Sequence, residues 1–261
     1  VAAGRVSFVL GLHGPCISMD TACSSALVAV DACSLALRSH HFKGGLTSSV
    51  SLKLVPHPTL LSGAAGMLSL DGRCKTFDAR ANGYVRGEAC CSVALVPLSE
   101  SDSDRVRCDS GSVRQDGKSA SLTAPNGTAQ QALMRAALNS AGRSPGGAYT
   151  LESHGTGTSL GDPIEARAMC GEREDPHLMS VRGCKANVAH TEPTAGATGL
   201  LQLMNSISAS VVCPNAQLRV VNPHVRGALG SSCPALAVQP KAAVALAESV
   251  GGVSSFGLNG T

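Results

Sequence analysis

The first candidate for chemistry is a cysteine at the start of a predicted helix. Cys23 lies in the segment DTACSS, residues 20–25, between an apolar stretch at residues 16–19 and helical periodicity over residues 23–38. A thiol in the first helical turn lies near the positive end of the helix macrodipole, which favours the thiolate. The segment therefore predicts a covalent nucleophile. The alternative is that Cys23 is a small buried apolar residue, as most cysteines of such a chain are.

A histidine opens the second candidate segment. His154 begins HGTGT, residues 154–158, directly after a predicted strand, and GDP follows at residues 161–163. The glycines allow the backbone to approach a ligand closely, and a histidine at a strand end is placed for general acid or base work. A phosphate-binding glycine loop is the rival interpretation. It fails because no lysine follows and Gly161 misses the G-x-G-x-x-G spacing.

The third candidate segment, KANVAHTE at residues 185–192, holds several ionisable side chains. Lys185, His190 and Glu192 lie between a predicted strand and a predicted helix, with apolar and glycine-rich flanks. Such flanks argue against mere surface polarity. A lone histidine is nevertheless usually structural, so the residues alone leave both interpretations open.

Strands must lead into these segments, and helices must follow them. Side-chain alternation predicts a strand at residues 46–55, and short apolar or strand-like stretches predict others at 16–19, 84–86, 91–96, 105–113, 149–152 and 179–184. Helical periodicity predicts helices at residues 23–38 and 128–141, from Asp162 onward, and at 193–207. Asp162 is a candidate cap and Pro163 suits a first turn. Alternating strands and helices predict an α/β fold with layered sheets.

Composition excludes several classes of protein. The chain has 261 residues, 43% hydrophobic and 15% charged, which indicates a globular protein. A net charge of +3 without basic runs argues against nucleic-acid binding. No apolar stretch approaches the roughly 18 residues of a membrane span, so we expect no membrane-spanning helix. Eleven cysteines without a Cys-x-x-Cys pair fit neither a disulfide framework nor a zinc site, so we expect no bound metal and a reducing compartment, the cytoplasm or a plastid.

The three segments, in this order, resemble the ketosynthase (β-ketoacyl synthase) domains of type I polyketide synthases. The resemblance extends over nearly the whole chain and includes GP at 14–15, DTACSS at 20–25, GMLS at 66–69, DGRCKTFD at 71–78, YVRGE at 84–88, LTAPNG at 122–127, HGTGTSLGDPIEA at 154–166, KANVAH at 185–190 and GVSSFG at 252–257. It implies a thiolase-like α-β-α-β-α fold and a homodimer. The expected halves are residues 1–115, with the nucleophile helix, and residues 116–261, with the histidines.

The resemblance also implies a role for each candidate residue. Cys23 matches the acyl-accepting nucleophile, and His154 and His190 match the pair that promotes decarboxylation of a malonyl-type thioester and stabilises the enolate. Lys185 matches the lysine supporting that pair, and Glu192 the acidic residue beside it. The backbone N–H groups of Cys23 and Leu258 match the oxyanion donors. We expect no bound cofactor, because acyl groups arrive on the phosphopantetheine of an acyl carrier protein.

Three departures from the family pattern lead to further expectations. Ala189 stands where the family usually has glycine, and a methyl group disfavours positive φ. If the family geometry needs that φ, we expect His190 to be displaced. Leu258 and Asn259 alter the usual terminal loop, with consequences for its mobility. The family's domain begins before Val1 and continues past Thr261, so we expect the N-terminal half to be incomplete.

Two other functions share much of this pattern. A fatty-acid synthase ketosynthase would use the same catalytic residues. The sequence TEP at residues 191–193 favours it, whereas DPIEA at residues 162–166 favours a polyketide synthase. A domain that binds acyl chains or the carrier without condensation is the alternative from a different class.

Overall fold

A computed structural model describes residues 1–40, 42–99, 106–121, 123–143, 149–171, 179–230, 235–236, 241–242 and 250–261. The helices are α1 (Ala2–Leu10), α2 (Ser25–His40), α3 (His57–Ala64), α4 (Gly127–Ser140), α5 (Gly161–Cys170), α6 (Lys185–Val188), α7 (Ala195–Ala209) and α8 (Pro223–Leu229). The strands are β1 (Gly45–Ser51), β2 (Ala89–Leu95), β3 (Tyr149–Glu152), β4 (Met179–Arg182), β5 (Val211–Val212), β6 (Ala235–Leu236), β7 (Lys241–Ala242) and β8 (Gly251–Val253).

The elements form the layered α/β arrangement that the sequence predicts. Strands β6, β4, β3 and β8 make a parallel sheet in that order, and β1 pairs with β2 in antiparallel register from Gly45 opposite Leu95 to Ser51 opposite Ala89. Helices α2 and α7 contact both each other and the β1–β2 pair, and α7 also contacts β3 and β8. Helix α7 therefore lies between the β1–β2 pair and the parallel sheet, with α2 packed beside it.

Apolar packing on the other face of the parallel sheet forms the main core. Helix α5 packs against α4 and α8, and the buried cluster consists of Phe77, Leu151, Ala166, Met169, Met179, Val181, Leu218, Val225 and Leu229. Because β3 is central and covered on both faces, its carboxyl end is a rigid platform for the loop that follows.

A buried ion pair joins the two central strands. Arg182 Nε lies 2.8 Å from Glu152 Oε2, and both side chains are almost fully buried. Glu152 Oε1 also accepts the backbone N–H of Cys184 at 2.6 Å, and Arg182 donates to Ser206 on α7. The pair therefore ties the end of β3 to the turn after β4 and to the helix between the sheets.

Several sequence predictions are wrong in detail. Residues 16–19 form no strand, because no neighbouring strand within the described ranges offers them ladder hydrogen bonds. Residues 106–113 are also not a strand, and residues 84–86 make only isolated bridges. Asp162 does not cap α5, because its carboxylate binds backbone groups elsewhere. Arg105 and Leu122, which belong to quoted segments, lie outside the described residues.

One helical segment corrects the expectation that no stretch has the length and composition of a membrane span. Residues 22–39 reach 18 residues with a mean hydropathy of 1.3. The segment contacts β1 and α7, as a packing helix does, and carries the cysteine of the candidate site. Length and composition alone are therefore weak evidence for a span.

Candidate active site

Cys23 occupies a sharp turn ahead of α2. A 3₁₀ turn, Ala22–Ser24, leads into the helix, and Ala22 has a positive φ of 55°. The Asp20 carboxylate accepts the backbone N–H of Ala22 at 3.0 Å, and the Ser255 hydroxyl donates to the Cys23 carbonyl at 2.6 Å. A neighbouring carboxylate and a hydroxyl from a distant part of the chain thus fix the backbone around the half-buried thiol.

His190 contacts that thiol directly. Its Nε2 lies 3.1 Å from Cys23 Sγ, and its Nδ1 accepts the backbone N–H of Glu192 at 3.3 Å. Since a neutral imidazole carries one proton, an accepting Nδ1 places the proton on Nε2, facing the sulfur. Ala189 adopts a φ of 68°, yet His190 is not displaced from Cys23, contrary to the expected effect of the methyl group.

His154 lies beside His190 and completes the cluster. The two imidazole ring centroids are 5.5 Å apart at an interplanar angle of 88°, and the ring centroid of Phe256 lies 5.7 Å from that of His154. The Glu165 carboxylate from α5 accepts the backbone N–H groups of His154 at 2.7 Å and Gly155 at 2.8 Å. The same carboxylate accepts the Ser254 hydroxyl at 2.8 Å, which couples the histidine loop to the segment after β8.

Burial keeps the reacting groups of this cluster neutral. It raises the pKa of the Cys23 thiol to about 11, with the Lys185 ammonium acting against this rise and Glu192 adding to it. The resting thiolate expected from the helix position is therefore not favoured. Burial also lowers the pKa of His154 and His190 well below the usual value, and the charge of Lys185 lowers both further. Two neutral imidazoles can donate N–H groups to an oxyanion without carrying a charge of their own.

Lys185 and Glu192 occupy different parts of the site. Lys185 is buried at the start of α6 and influences the thiol and both histidines electrostatically. The Glu192 carboxylate instead binds Arg86, with Nε 2.5 Å from Oε1, and Lys53, with Nζ 2.6 Å from Oε2. Leu258 lies in an exposed part of the terminal loop, whose Gly257 packs closely against Thr21.

The same cluster also offers three metal-ligand atoms. Single ligand atoms of Cys23, His154 and His190 lie within 4.8 Å of one another. A thiolate and two imidazoles suit zinc, but the nearby Lys185 ammonium disfavours a second cation. The donor set therefore fits covalent and hydrogen-bonding chemistry better than metal binding.

Family comparison identifies the scaffold that carries this cluster. A family model described as "Beta-ketoacyl synthase, N-terminal domain" matches residues 1–101, and one described as "Beta-ketoacyl synthase, C-terminal domain" matches residues 107–219. The chain belongs to the β-ketoacyl synthase family. This assignment confirms the resemblance found in the sequence.

Relatives of this ketosynthase chain include components of bacterial polyketide synthases. It is 37% identical to one component of the phenolphthiocerol/phthiocerol polyketide synthase of Mycobacterium tuberculosis, with 100% of this chain and 12% of that protein covered. It is 38% identical to the spectinabilin polyketide synthase system protein NorA' of Streptomyces orinoci, over 100% of this chain and 7% of that protein. The chain thus spans a small fraction of these relatives' length.

A solved ketosynthase structure confirms the thiolase-like fold. The ketosynthase from module 6 of the bacillaene synthase of Bacillus subtilis superposes with a TM-score of 0.92 at 32% identity. The superposition covers 99% of this chain and 48% of that one, so the chain spans about half of the solved ketosynthase.

Sequence reasoning about this ketosynthase site missed several of its polar residues. Glu165 holds the His154 loop, and Asp162 accepts the backbone N–H groups of Phe77 at 2.7 Å and Gly157 at 3.0 Å. Two carboxylates three residues apart on one helix, both followed by apolar residues, are a signal that could have found them. No comparable local signal marks Lys53, because its partner is distant in sequence.

Proposed function

We propose that this chain carries the acyl-accepting and condensing centre of a polyketide β-ketoacyl synthase. The observation that supports this most directly is the contact between His190 Nε2 and Cys23 Sγ, 3.1 Å apart, with the His154 imidazole beside them. A nucleophile next to two neutral hydrogen-bond donors suits acyl transfer followed by enolate formation. The roles assigned to individual residues are part of this proposal.

In the first step an acyl group moves from the carrier to the enzyme. Cys23 Sγ attacks the carbonyl carbon of an acyl thioester, a new carbon–sulfur bond forms, and the carrier leaves as a thiol that takes up the proton of Cys23. The pKa of the resting thiol is raised to about 11, so the thiolate must be formed during attack. The Lys185 ammonium and the His190 N–H group favour the developing negative charge on sulfur.

In the second step a malonyl-type thioester loses carbon dioxide. Its carboxylate carbon–carbon bond breaks, and the electron pair enters the thioester as an enolate, whose oxygen His154 and His190 stabilise by N–H donation. The enolate carbon then attacks the Cys23 thioester. The tetrahedral oxyanion collapses, releasing the Cys23 thiolate and a 3-oxoacyl thioester. Donors aimed at developing charge contribute about 2.7–4 kcal/mol each in comparable sites.

Other residues complete the proposed centre. Lys185 supports the histidine pair by its charge, and Glu192 orders the turn that follows His190. The backbone N–H groups of Cys23 and Leu258 are the proposed donors to the tetrahedral oxyanion. In this arrangement the nucleophile half, residues 1–115, meets the histidine half, residues 116–261, at the site.

The proposed partners follow from this chemistry. The chain would act on acyl and malonyl thioesters carried on the phosphopantetheine of a carrier protein, as part of a homodimer. The similarity to polyketide synthase components favours polyketide over fatty-acid elongation. Because these relatives are bacterial, a bacterial cytoplasm is the proposed location, and the comparisons give no support to a plastid.

Product analysis tests the proposal. The intact protein is incubated with an acyl thioester and an isotope-labelled malonyl thioester, and thioester products are identified by mass spectrometry. We expect a 3-oxoacyl thioester that retains the label of the malonyl carbon next to the thioester. Acylation of Cys23 without condensation product or carbon dioxide release would instead favour the non-condensing binding domain.

A further inference from the structure

Two strained residues flank His190. Ala189 has a φ of 68° and a ψ of 177°, and Glu192 has a φ of 48°. Residues with a Cβ rarely adopt positive φ, and such strained conformations persist only where the surrounding structure imposes them. The turn that places the imidazole next to Cys23 therefore has an unfavourable backbone conformation, which other contacts must stabilise.

Backbone contacts hold one side of this turn. The His190 N–H donates to the Val85 carbonyl at 2.8 Å, and the Gly87 N–H donates to the His190 carbonyl at 2.8 Å. Gly87 approaches so closely that a Cβ there would lie 3.0 Å from the Ala189 methyl group. These contacts fix the main chain of His190, but they do not reach Glu192, two residues further along.

The Glu192 side chain is held by two cations. Arg86 donates to both carboxylate oxygens, at 2.5 Å from Nε and 2.9 Å from Nη2, and Lys53 Nζ contributes a contact of 2.6 Å. The Lys53 and Glu192 side chains are only 18% and 17% exposed, so water screens this pair less than it screens a surface pair.

Lys53 is itself firmly placed. Its Nζ also donates to the Ser51 hydroxyl at 2.6 Å, and its backbone N–H donates to Glu88 Oε1 at 2.5 Å. Because Lys53 is held at its backbone and at its ammonium group, it fixes the Glu192 carboxylate relative to the end of β1. Glu192 in turn donates its backbone N–H to His190 Nδ1 and so orients the imidazole.

We propose that Lys53 is a positioning residue of the condensation site. Together with Arg86 it clamps Glu192, stabilises the strained turn at Ala189 and Glu192, and so keeps His190 Nε2 against Cys23 Sγ. The effect of Lys53 on turnover rests on the proposed function, whereas its effect on the reactivity of the Cys23 thiol is independent of that function.

Four variants of the intact protein test this role: K53M, which removes the charge; K53R, which can keep the pair; A189G, which removes the strain at position 189; and the double variant K53M/A189G. Exposed Lys43, changed to Met, is the matched control. Two quantities are measured for each variant, the rate of Cys23 alkylation by iodoacetamide at one fixed pH and the kcat and KM of condensation.

We expect K53M to lower the alkylation rate and kcat by about tenfold with little change in KM, as loss of a charged hydrogen-bond partner would. K53R, which keeps the charge, should retain more activity than K53M, and the Lys43 control should match the wild type. A189G should restore most of the loss in the double variant, because an unstrained turn needs the clamp less.

Two results would overturn the proposal. One is a K53M protein with unchanged alkylation and kcat. The other is an equal loss with and without A189G, because Lys53 would then act independently of the strained residue Ala189. If the wild type showed no condensation at all, the proposed function would fail, while the alkylation rates would still decide the role of Lys53.

Discussion

His190 Nε2 lies 3.1 Å from Cys23 Sγ, although 167 residues separate the two in the sequence. Cys23 lies in the 3₁₀ turn that leads into α2, and His190 lies two residues after the end of α6. The contact places a neutral N–H donor against a neutral thiol. Its consequences for reactivity, catalysis and stability can be measured separately.

The alkylation rate of Cys23 should rise with pH up to about pH 11. Burial raises the thiol pKa to about 11, so the reactive thiolate fraction grows about tenfold per pH unit below that value. Peptide mass spectrometry after timed iodoacetamide treatment gives the rate at each pH, with exposed Cys16 as a reference for reagent access. A plateau below about pH 9 would instead indicate the thiolate that the helix position alone suggests.

Removal of either histidine should impair decarboxylation more than acylation. Changing His154 or His190 to Ala deletes one proposed donor to the enolate, and loss of such a donor lowers rates by about 10²–10³-fold. Release of carbon dioxide from a malonyl thioester measures the effect, while acyl transfer to Cys23 is followed in parallel. Exposed His224, changed to Gln, is the control. Normal carbon dioxide release from either Ala variant would remove that histidine from the proposed step.

Breaking the Glu152–Arg182 pair should destabilise the fold. Both side chains are almost fully buried, so E152Q leaves an uncompensated guanidinium and should lower the free energy of unfolding by about 3–5 kcal/mol. The double variant E152Q/R182M removes both charges and should lose less than the sum of the single variants. Denaturant titration measures the two single variants and the double variant. Additive losses would show that the two charges do not depend on each other.

The free energy of unfolding should depend on pH because the His190 imidazole is buried and neutral. The pKa of His190 in the folded state lies well below the ordinary value of 6.5, so below pH 6.5 the unfolded chain binds a proton that the folded chain does not. Stability is therefore lost as pH falls from 6.5 towards the folded pKa. Relative to H190Q, the wild type should lose up to about 1.4 kcal/mol per pH unit in this range, as measured by denaturant titration at each pH.

The comparison with H190Q is necessary because other groups act oppositely. Burial raises the pKa of Asp162 to about 7 and also raises that of Glu165, and these carboxyls stabilise the fold as pH falls. The difference between wild type and H190Q cancels their contribution. Parallel pH profiles for the two proteins would show that His190 is not held neutral.

The sequence predicts this site best where its signals are local. Cys23, His154 and Lys185 each follow a change from extended to helical pattern, and the structure places each next to a helix or at the end of a strand. The strand expected at residues 16–19 does not form, since pattern cannot supply a neighbouring strand. The pair of Lys53 and Glu192 spans 139 residues, and its distance depends on packing that no periodicity encodes.

Charge states are equally hard to derive from sequence. Cys23 at a helix start predicts a thiolate, but the surrounding layers desolvate the sulfur, and burial outweighs the favourable charges and raises its pKa. Ala189 predicts a displaced His190 if the site needs a positive φ, but Ala189 adopts a φ of 68° while Val85 and Gly87 hold the His190 backbone in place. In both cases tertiary packing overrides a local preference.

The central claim, that Cys23 accepts the acyl group, is tested most directly by the intact mass of the protein after incubation with an acyl thioester. The proposal predicts one added acyl mass, located on the Cys23 peptide, released by a malonyl thioester and absent from C23A. No added mass on the wild type, or equal labelling of C23A, would contradict it.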